Sequence, residues 1–250
     1  MTPQTTATGQ QTSTFIVTGA SSGIGRELAQ QLAARGHAVI AIGRDGQRLA
    51  ETAKASPRIT AIPFDLRKIE TIDAFAAALL ADHPRITGII NNAAIQHDKR
   101  VDDASYTAAQ IDEEIAINLT APIALTRALL PHLKTQPHAV IVNLGSGLGF
   151  VPKRTSAVYS ATKAGLRLFS DALRVQLQGS GVRIVEAIMP LVDTPMTAGR
   201  GGEKMPAATA AAAILDGLDS GAPQIFIGKA RALRMILRFA PSVAARMMQR

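Results

Sequence analysis

A chain of 250 residues that is 47% hydrophobic is long enough to bury one large core. It has no cysteine, which excludes disulfide and thiolate chemistry and gives no reason to expect an oxidising compartment, so the cytoplasm is the expected location. The net charge of +8 admits anionic partners, but neither an aromatic stacking platform nor a recognition motif supports nucleic-acid binding, and no apolar run approaches the roughly 18 to 20 residues that span a bilayer.

Residues 1–13 are rich in Thr and Gln, lack the basic start and apolar core of a signal peptide, and read as a disordered tail. Thr14–Val17 is an apolar strand that runs into Thr18-Gly-Ala-Ser-Ser-Gly-Ile-Gly25, and the next residues, to Ala34, have helical periodicity. Gly36 is placed to end that helix, and Ala38–Ile42 supplies a second strand, which completes a βαβ unit. Further strands are expected at Ile59–Phe64, Gly88–Asn91, Ala139–Leu144, Arg183–Met189 and Gln224–Ile227, with helix-length segments between them. Apolar strands without alternation suit a sheet covered on both faces. The expectation is an α/β chain over residues 14–228: a single-domain, Rossmann-type, doubly wound, mostly parallel seven-stranded sheet with helices on both faces.

The glycine loop sits where a strand ends and a helix begins. Gly19 permits a tight turn, while Gly23 and Gly25 let a phosphate approach the helix N-terminus, where unpaired N–H groups favour anions. The Gly-x-x-x-Gly-x-Gly spacing lacks the Gly-Lys-Ser/Thr ending of a nucleotide-hydrolysing loop and favours a dinucleotide. Thr18, Gly19, Ser21, Ser22, Gly23, Ile24 and Gly25 are the expected cofactor contacts of this loop. After the second strand stands Arg44, where such folds usually carry an acid for the ribose hydroxyls; a guanidinium there pairs with a 2′-phosphate, so NADP(H) is expected ahead of NAD(H). The bland reading of Arg44 is a solvated residue before a helix capped by Asp45.

Tyr159 and Lys163 lie four residues apart, on one helix face, where a fixed positive charge is expected to lower the phenol pKa. Ser146 lies thirteen residues earlier, on a glycine-rich turn that follows a strand. With Asp65-Leu66, Asn91-Asn-Ala-Ala94, Asn118 and the stretch Pro190–Met196, these motifs resemble, in order and spacing over about residues 14–197, the short-chain dehydrogenase/reductase family. The resemblance implies that Asp65 bonds the adenine amine, that Asn91 and Ala93 line the cofactor, and that Val192 and Thr194 face the nicotinamide; Leu66 and Pro190 join the cofactor contacts, as do Tyr159 and Lys163. It further implies a catalytic set in which Tyr159 exchanges the proton, Ser146 polarises the carbonyl, Lys163 holds the nicotinamide ribose, and Asn118 anchors a water leading to solvent. Two departures stand out: Ala94 replaces the family's glycine in Asn-Asn-Ala-Gly, and Leu191 replaces the glycine of Pro-Gly. Ile95-Gln96, the stretch Ser146–Pro152 and the tail after Gly228 are similar to the subgroup labelled DltE, which names no substrate.

The implied activity is carbonyl–alcohol interconversion by hydride transfer on a small molecule. A catalytically silent, nucleotide-responsive binding or regulatory protein is the competing class, and an intact Ser, Tyr and Lys set argues against it. His97, Arg100, His132 and His138 match no ligand spacing, so no metal is expected. Glu113 and Glu114 are expected on a solvated helix face. A mobile lid is expected over about 196–205, with Gly199, Gly201 and Gly202 inside it, and Gln96, Leu148, Val151 and Leu191 near a largely apolar substrate with one polar contact. Residues 229–250 form a basic amphipathic extension, with Arg231, Arg234 and Arg238 on one face and Leu233, Ile236, Leu237 and Phe239 on the other, ended by Pro241. Docking on protein is expected ahead of contact with an anionic membrane surface. The apolar arc of Ala161, Gly165, Leu168, Phe169 and Ala172 points to a homodimer or homotetramer.

Overall fold

The structure, a computed structural model, describes residues 13–239, apart from the side chains of Arg234 and Arg238. Residues 1–12 of the tail expected over 1–13, and the helix stop at Pro241, lie outside the described residues. The strands are β1 (Thr14–Thr18), β2 (Ala38–Gly43), β3 (Ile59–Pro63), β4 (Ile86–Asn91), β5 (Val140–Ser146), β6 (Arg183–Met189), β7 (Val192–Asp193), β8 (Met205–Pro206) and β9 (Gln224–Phe226). Seven of them form one sheet in the order β3-β2-β1-β4-β5-β6-β9, and every pairing in it is parallel. The two-residue strands β7 and β8 pair apart from it and frame residues 194–204.

Among the described residues eight α-helices flank the strands: α1 (Gly23–Ala34), α2 (Gly46–Ala53), α3 (Ile72–Asp82), α4 (Ala108–Ile115), α5 (Ala121–Leu133), α6 (Ala157–Gln176), α7 (Ala207–Asp219) and α8 (Ala230–Phe239). Successive strand residues serve opposite faces. Phe15, Val17, Val39 and Ala41 pack with Leu28 and Leu32 of α1 and Ile214 of α7, while Ile16, Ile40 and Ile42 pack with Ile72 of α3, Leu125 and Leu129 of α5 and Leu173 of α6. Burial on both sides is why these strands read as unbroken apolar runs. Gly36 follows α1 at φ 92, and Asp45 caps α2 by accepting the Arg48 N–H at 3.0 Å. Among the described residues no helix is long and apolar enough to cross a membrane.

The glycine loop is locked to the end of β4. Asn92 and Ala93 donate their backbone N–H groups to Thr18 Oγ1 at 3.0 and 3.1 Å, and Asn92 Nδ2 donates to the carbonyls of Thr18 and Gly19 at 2.8 and 3.3 Å. Space is exhausted there. A methyl on Gly25 would sit 2.3 Å from Gly19 O and 2.4 Å from Asn92 Nδ2, and Gly19 itself has φ +67.

Thr18→Val keeps the shape of that side chain but removes the acceptor of two amides. It should cost about 1 to 3 kcal/mol in urea unfolding, with Thr18→Ser close to the parent; a valine variant as stable as the parent would show that the junction does not need the hydroxyl.

Candidate active site

A cavity of about 1650 Å³ opens over the C-terminal ends of the strands. One end is built by the loop from Gly19 to Ile24, by Arg44 after β2, and by Asp65 and Leu66 after β3. Ser22, the N-cap of α1, makes no side-chain cap bond, and the first turn holds no acid, so the helix N-terminus faces the cavity without an internal anion. Arg44 is 62% exposed and only 3.8 Å from Glu113, a loose pairing that leaves its guanidinium available to a ligand. Asp65 is held by Arg67 through Nε at 3.0 Å and Nη2 at 2.6 Å, a partner that keeps its carboxylate ionised.

At the centre, β5 delivers Ser146 and α6 delivers Tyr159 and Lys163. Ser146 Oγ accepts the Leu148 N–H at 3.1 Å, which turns its own O–H away from that turn. Lys163, 3% exposed, donates to Leu144 O at 2.8 Å and lies 5.7 Å from the centre of the Tyr159 ring. The expectation of a lowered phenol pKa is not met in this state. Burial pushes Tyr159 up to about 12, against smaller downward pulls from a Ser146 hydrogen bond and the Arg200 charge. Desolvation wins because the ammonium sits over the ring and spends its bond on a carbonyl. The same burial pushes Lys163 down to about 8 from 10.5, with the Glu186 charge pulling upward. Between those two values the unfolded chain binds the proton that the folded protein has shed, so this group's share of stability rises with pH across that window.

Asn118 lies in a single turn of wider π helix, Ala116–Thr120, between α4 and α5. Its amide is spent on the Ile95 backbone, accepting the N–H and donating to the O, both at 2.8 Å, and Nδ2 also reaches Thr162 Oγ1 at 3.3 Å. It fixes the wall that begins at Ile95. Of the cofactor positions read from the sequence, Gly19, Ser21, Ser22, Gly23, Ile24, Arg44, Asp65, Leu66, Ala93, Tyr159, Lys163, Pro190, Val192 and Thr194 line the cavity, while Thr18, Gly25 and Asn91 stand behind it. Asn91 points the other way, toward α5 and α6, donating to Asn143 Oδ1 at 2.8 Å and Thr126 Oγ1 at 3.3 Å. β4 ends at Asn91, and a tight turn in which Asn92 N–H donates to Ile90 O at 3.0 Å sends Asn92 to the loop instead.

Glu114 corrects the expectation of a solvated face. It is 2% exposed, accepts the His97 N–H at 3.0 Å and the Tyr106 hydroxyl, and so ties α4 to the loop after β4. Glu113 is partly covered, 25% exposed, and bonds Arg67 at 3.2 Å. Asp98, Lys153 and Arg200 line the cavity without having been singled out in the sequence, because they come from three loops far apart in the chain. Leu233 and Ile236 of α8 line it too; a methyl on Gly147 would meet Leu233 at 2.9 Å. For α8 the signal was present in its periodicity, though not its target.

Residues 13–204 match the short chain dehydrogenase family. The chain belongs to that family. As a short-chain dehydrogenase/reductase it is an NAD(P)-dependent oxidoreductase. It is 39% identical over 183 residues, 72% of either chain, to the uncharacterized oxidoreductase DltE of Bacillus subtilis (strain 168). Among solved structures it resembles a short chain dehydrogenase from Burkholderia cenocepacia J2315 in complex with NADP, with TM-score 0.86 and 26% identity over 96% of this chain and 99% of that one. It also resembles a short-chain dehydrogenase from Sphingobium yanoikuyae in complex with NADPH, with TM-score 0.80 and 29% identity over 94% and 93%. The residues present fit such a dinucleotide: an uncapped helix N-terminus for the diphosphate, an arginine directly after β2 whose pairing with Glu113 is loose, and a cavity lined from Arg44 to Tyr159.

Both tyrosines of the chain are shifted upward, Tyr106 by burial and then by the Glu114 carboxylate, Tyr159 by burial. Alkaline titration of the cofactor-free protein should show no phenolate absorbance until beyond about pH 10. A phenolate forming near neutral pH, and lost in Tyr159→Phe, would contradict this.

Proposed function

We propose that the protein is an NADP(H)-dependent oxidoreductase that interconverts a carbonyl and an alcohol on a small molecule, with Tyr159 as the acid and base. The observation that carries the reading is the convergence of buried Tyr159 and Lys163 with Ser146 on one stretch of a cavity whose other end is a glycine loop at a helix N-terminus. The nicotinamide, when bound, supplies or accepts the hydride. Tyr159 keeps its proton at neutral pH, which suits it to give that proton to the oxygen of a carbonyl being reduced. Ser146, oriented by the Leu148 N–H, donates to the same oxygen and polarises it before transfer. Lys163 holds the nicotinamide ribose. Asn118 holds the Ile95 wall and leads a water from Lys163 toward solvent.

The glycine-loop residues hold the diphosphate, Asp65 and Leu66 the adenine end, and Ala93, Pro190, Val192 and Thr194 the nicotinamide end. Thr18, Gly25 and Asn91 act one layer back: Thr18 and Gly25 shape the loop, and Asn91 braces β4 against β5. NADP(H) is the preferred cofactor, supported by the exposed and only loosely paired Arg44 guanidinium and by the NADP and NADPH named for the two similar structures. The protein works in the cytoplasm, and it does so as a homodimer or homotetramer; the exposed Leu168 and Val175 of α6, at 59% and 65%, support the association.

Tyr159→Phe removes the transferable proton and keeps the ring. Turnover followed by nicotinamide absorbance should fall about 100- to 10,000-fold, with dinucleotide binding nearly intact; unchanged turnover where the chemical step limits the rate would remove Tyr159 from this role. Arg44→Asp exchanges a phosphate partner for a ribose-hydroxyl acceptor and should move the ratio of NADP to NAD affinity about tenfold to hundredfold toward NAD. Equal dissociation constants for NAD and NADP in the parent protein would refute the preference.

A further inference from the structure

Three segments remote in sequence close one side of the cavity: Gln96 and Asp98 after β4, Lys153 to Ser156 before α6, and Arg200 from the lid. Asp98 joins the first two. Its carboxylate accepts the hydroxyls of Thr155 and Ser156, each at 2.7 Å, and the Lys153 ammonium at 3.0 Å on both oxygens. It does so from a left-handed backbone, φ 54, a conformation that costs a non-glycine residue energy and clusters at ligand sites. Gln96 donates through Nε2 to Ser156 Oγ at 2.7 Å, which turns its amide oxygen toward the lid, where it accepts from Arg200 Nη1 at 2.5 Å.

Arg200 is the cation of this wall with the least compensation. Lys153 has Asp98 at 3.0 Å, Lys229 has Glu203 at 2.6 Å, and Lys204 has Asp193 at 3.7 Å together with Thr197 O at 2.7 Å. Arg200 reaches Asp98 only at 3.6 Å, and that carboxylate already serves three donors. Its side chain is 19% exposed, and among the described residues Gln96 is its one side-chain hydrogen-bond acceptor. A guanidinium drawn this far from water, with most of its donors unspent, is matched to a planar anion that can take two parallel N–H bonds. Its charge also reaches Tyr159, so an anion held there shares the cavity with the reacting oxygen. Leu148, Leu191, Leu233 and Ile236 give the same cavity an apolar lining.

The geometry points to Arg200 as the residue that binds an acidic group of the substrate, so that the substrate is an oxo carboxylic acid, or the corresponding hydroxy acid, with an aliphatic body. This rests on the carbonyl–alcohol reading above and adds which carbonyl compounds the site takes. Arg200 is a substrate-binding residue, carried into place by a lid whose Gly199 and Gly202, at φ +75 and +99, allow it to fold over the cavity.

The test is steady-state reduction by the full-length protein with NADPH, using straight-chain oxo acids from oxobutanoate to oxooctanoate and the methyl ester of each. At the best chain length, kcat/KM for the acid should exceed that for its ester by about tenfold to hundredfold, the range expected of one charge-assisted contact. Arg200→Gln should collapse that ratio toward one, chiefly through the KM for the acid, and Arg200→Lys should restore part of it. A residue that only latched the lid would lower acid and ester together and leave the ratio standing. Should the variant fold poorly, saturated aliphatic carboxylates should inhibit the parent protein competitively against the oxo substrate, and their methyl esters should not. Equal use of acid and ester by the parent, a preference that survives Arg200→Gln, or inhibition indifferent to the acid group overturns the proposal. No turnover of any acid or ester would instead strike the carbonyl–alcohol reading, and this one with it.

Discussion

The hydroxyl of Thr18, accepting the amides of Asn92 and Ala93, joins the two parts of the molecule that must meet for a dinucleotide to reach a substrate. β1 lies between β2 and β4, so the connections leaving its two sides diverge and open a crevice above the C-terminal strand ends. The glycine loop hangs over that crevice from β1, and the wall carrying Ala93, Ile95 and Gln96 rises from β4. Without a fixed bond between them, the glycine loop and the wall would be two independent loops. The absence of side chains at Gly19 and Gly25 follows from this contact, since the space a methyl needs is occupied by the backbone and amide that make it.

From that junction the polar restraints pass inward. Asn92 holds the loop, Asn91 spans to Asn143 on β5, and Asn143 Nδ2 donates to Ser170 of α6 at 2.8 Å, so a buried chain of amides ties β4 and β5 to the helix that bears Tyr159 and Lys163. Such buried polar contacts set the register of helix on sheet more sharply than apolar contact does, here with Asn91 Oδ1 left without a hydrogen-bond partner among the described residues. The reacting pair then stands in a place dry enough for burial to outweigh the attraction between an ammonium and a phenolate. Both groups are driven toward their neutral forms, the phenol upward and the amine downward.

The cavity wall nearest the C-terminus shows the same economy of parts. α8 docks through Ala230, packed with Ile188 and Phe226, and then sends Leu233 and Ile236 into the cavity beside the turn that carries Ser146. Two residues of its apolar stripe thus wall the site, while Phe239, expected on the same face, stays 70% exposed and Arg231 anchors the first turn by donating to Phe226 O at 3.1 Å. The lid adds Arg200 to the same lining. Apolar side chains and a cation thus share the cavity with Tyr159, a mixture that suits an amphiphilic small molecule.

Much of this was legible in the sequence where the signal is local. A strand, a glycine loop and a helix in succession, an arginine after the second strand, and a tyrosine and lysine four residues apart each lie within one element, so spacing alone fixes their relative direction. The unbroken apolar runs likewise implied a sheet covered on both faces, and the parallel seven-stranded sheet is that. What depends on the company a residue keeps was decided only by the tertiary structure. The direction of the Tyr159 shift is set by desolvation, the burial of Glu114 by a loop folding back on α4, and the outward or inward turn of Asn91 and Asn92 by where β4 ends. The cluster of Gln96, Asp98, Lys153 and Arg200 has no linear pattern at all, because its members stand as many as 104 residues apart in the chain and meet only when the loops above the sheet close on one another.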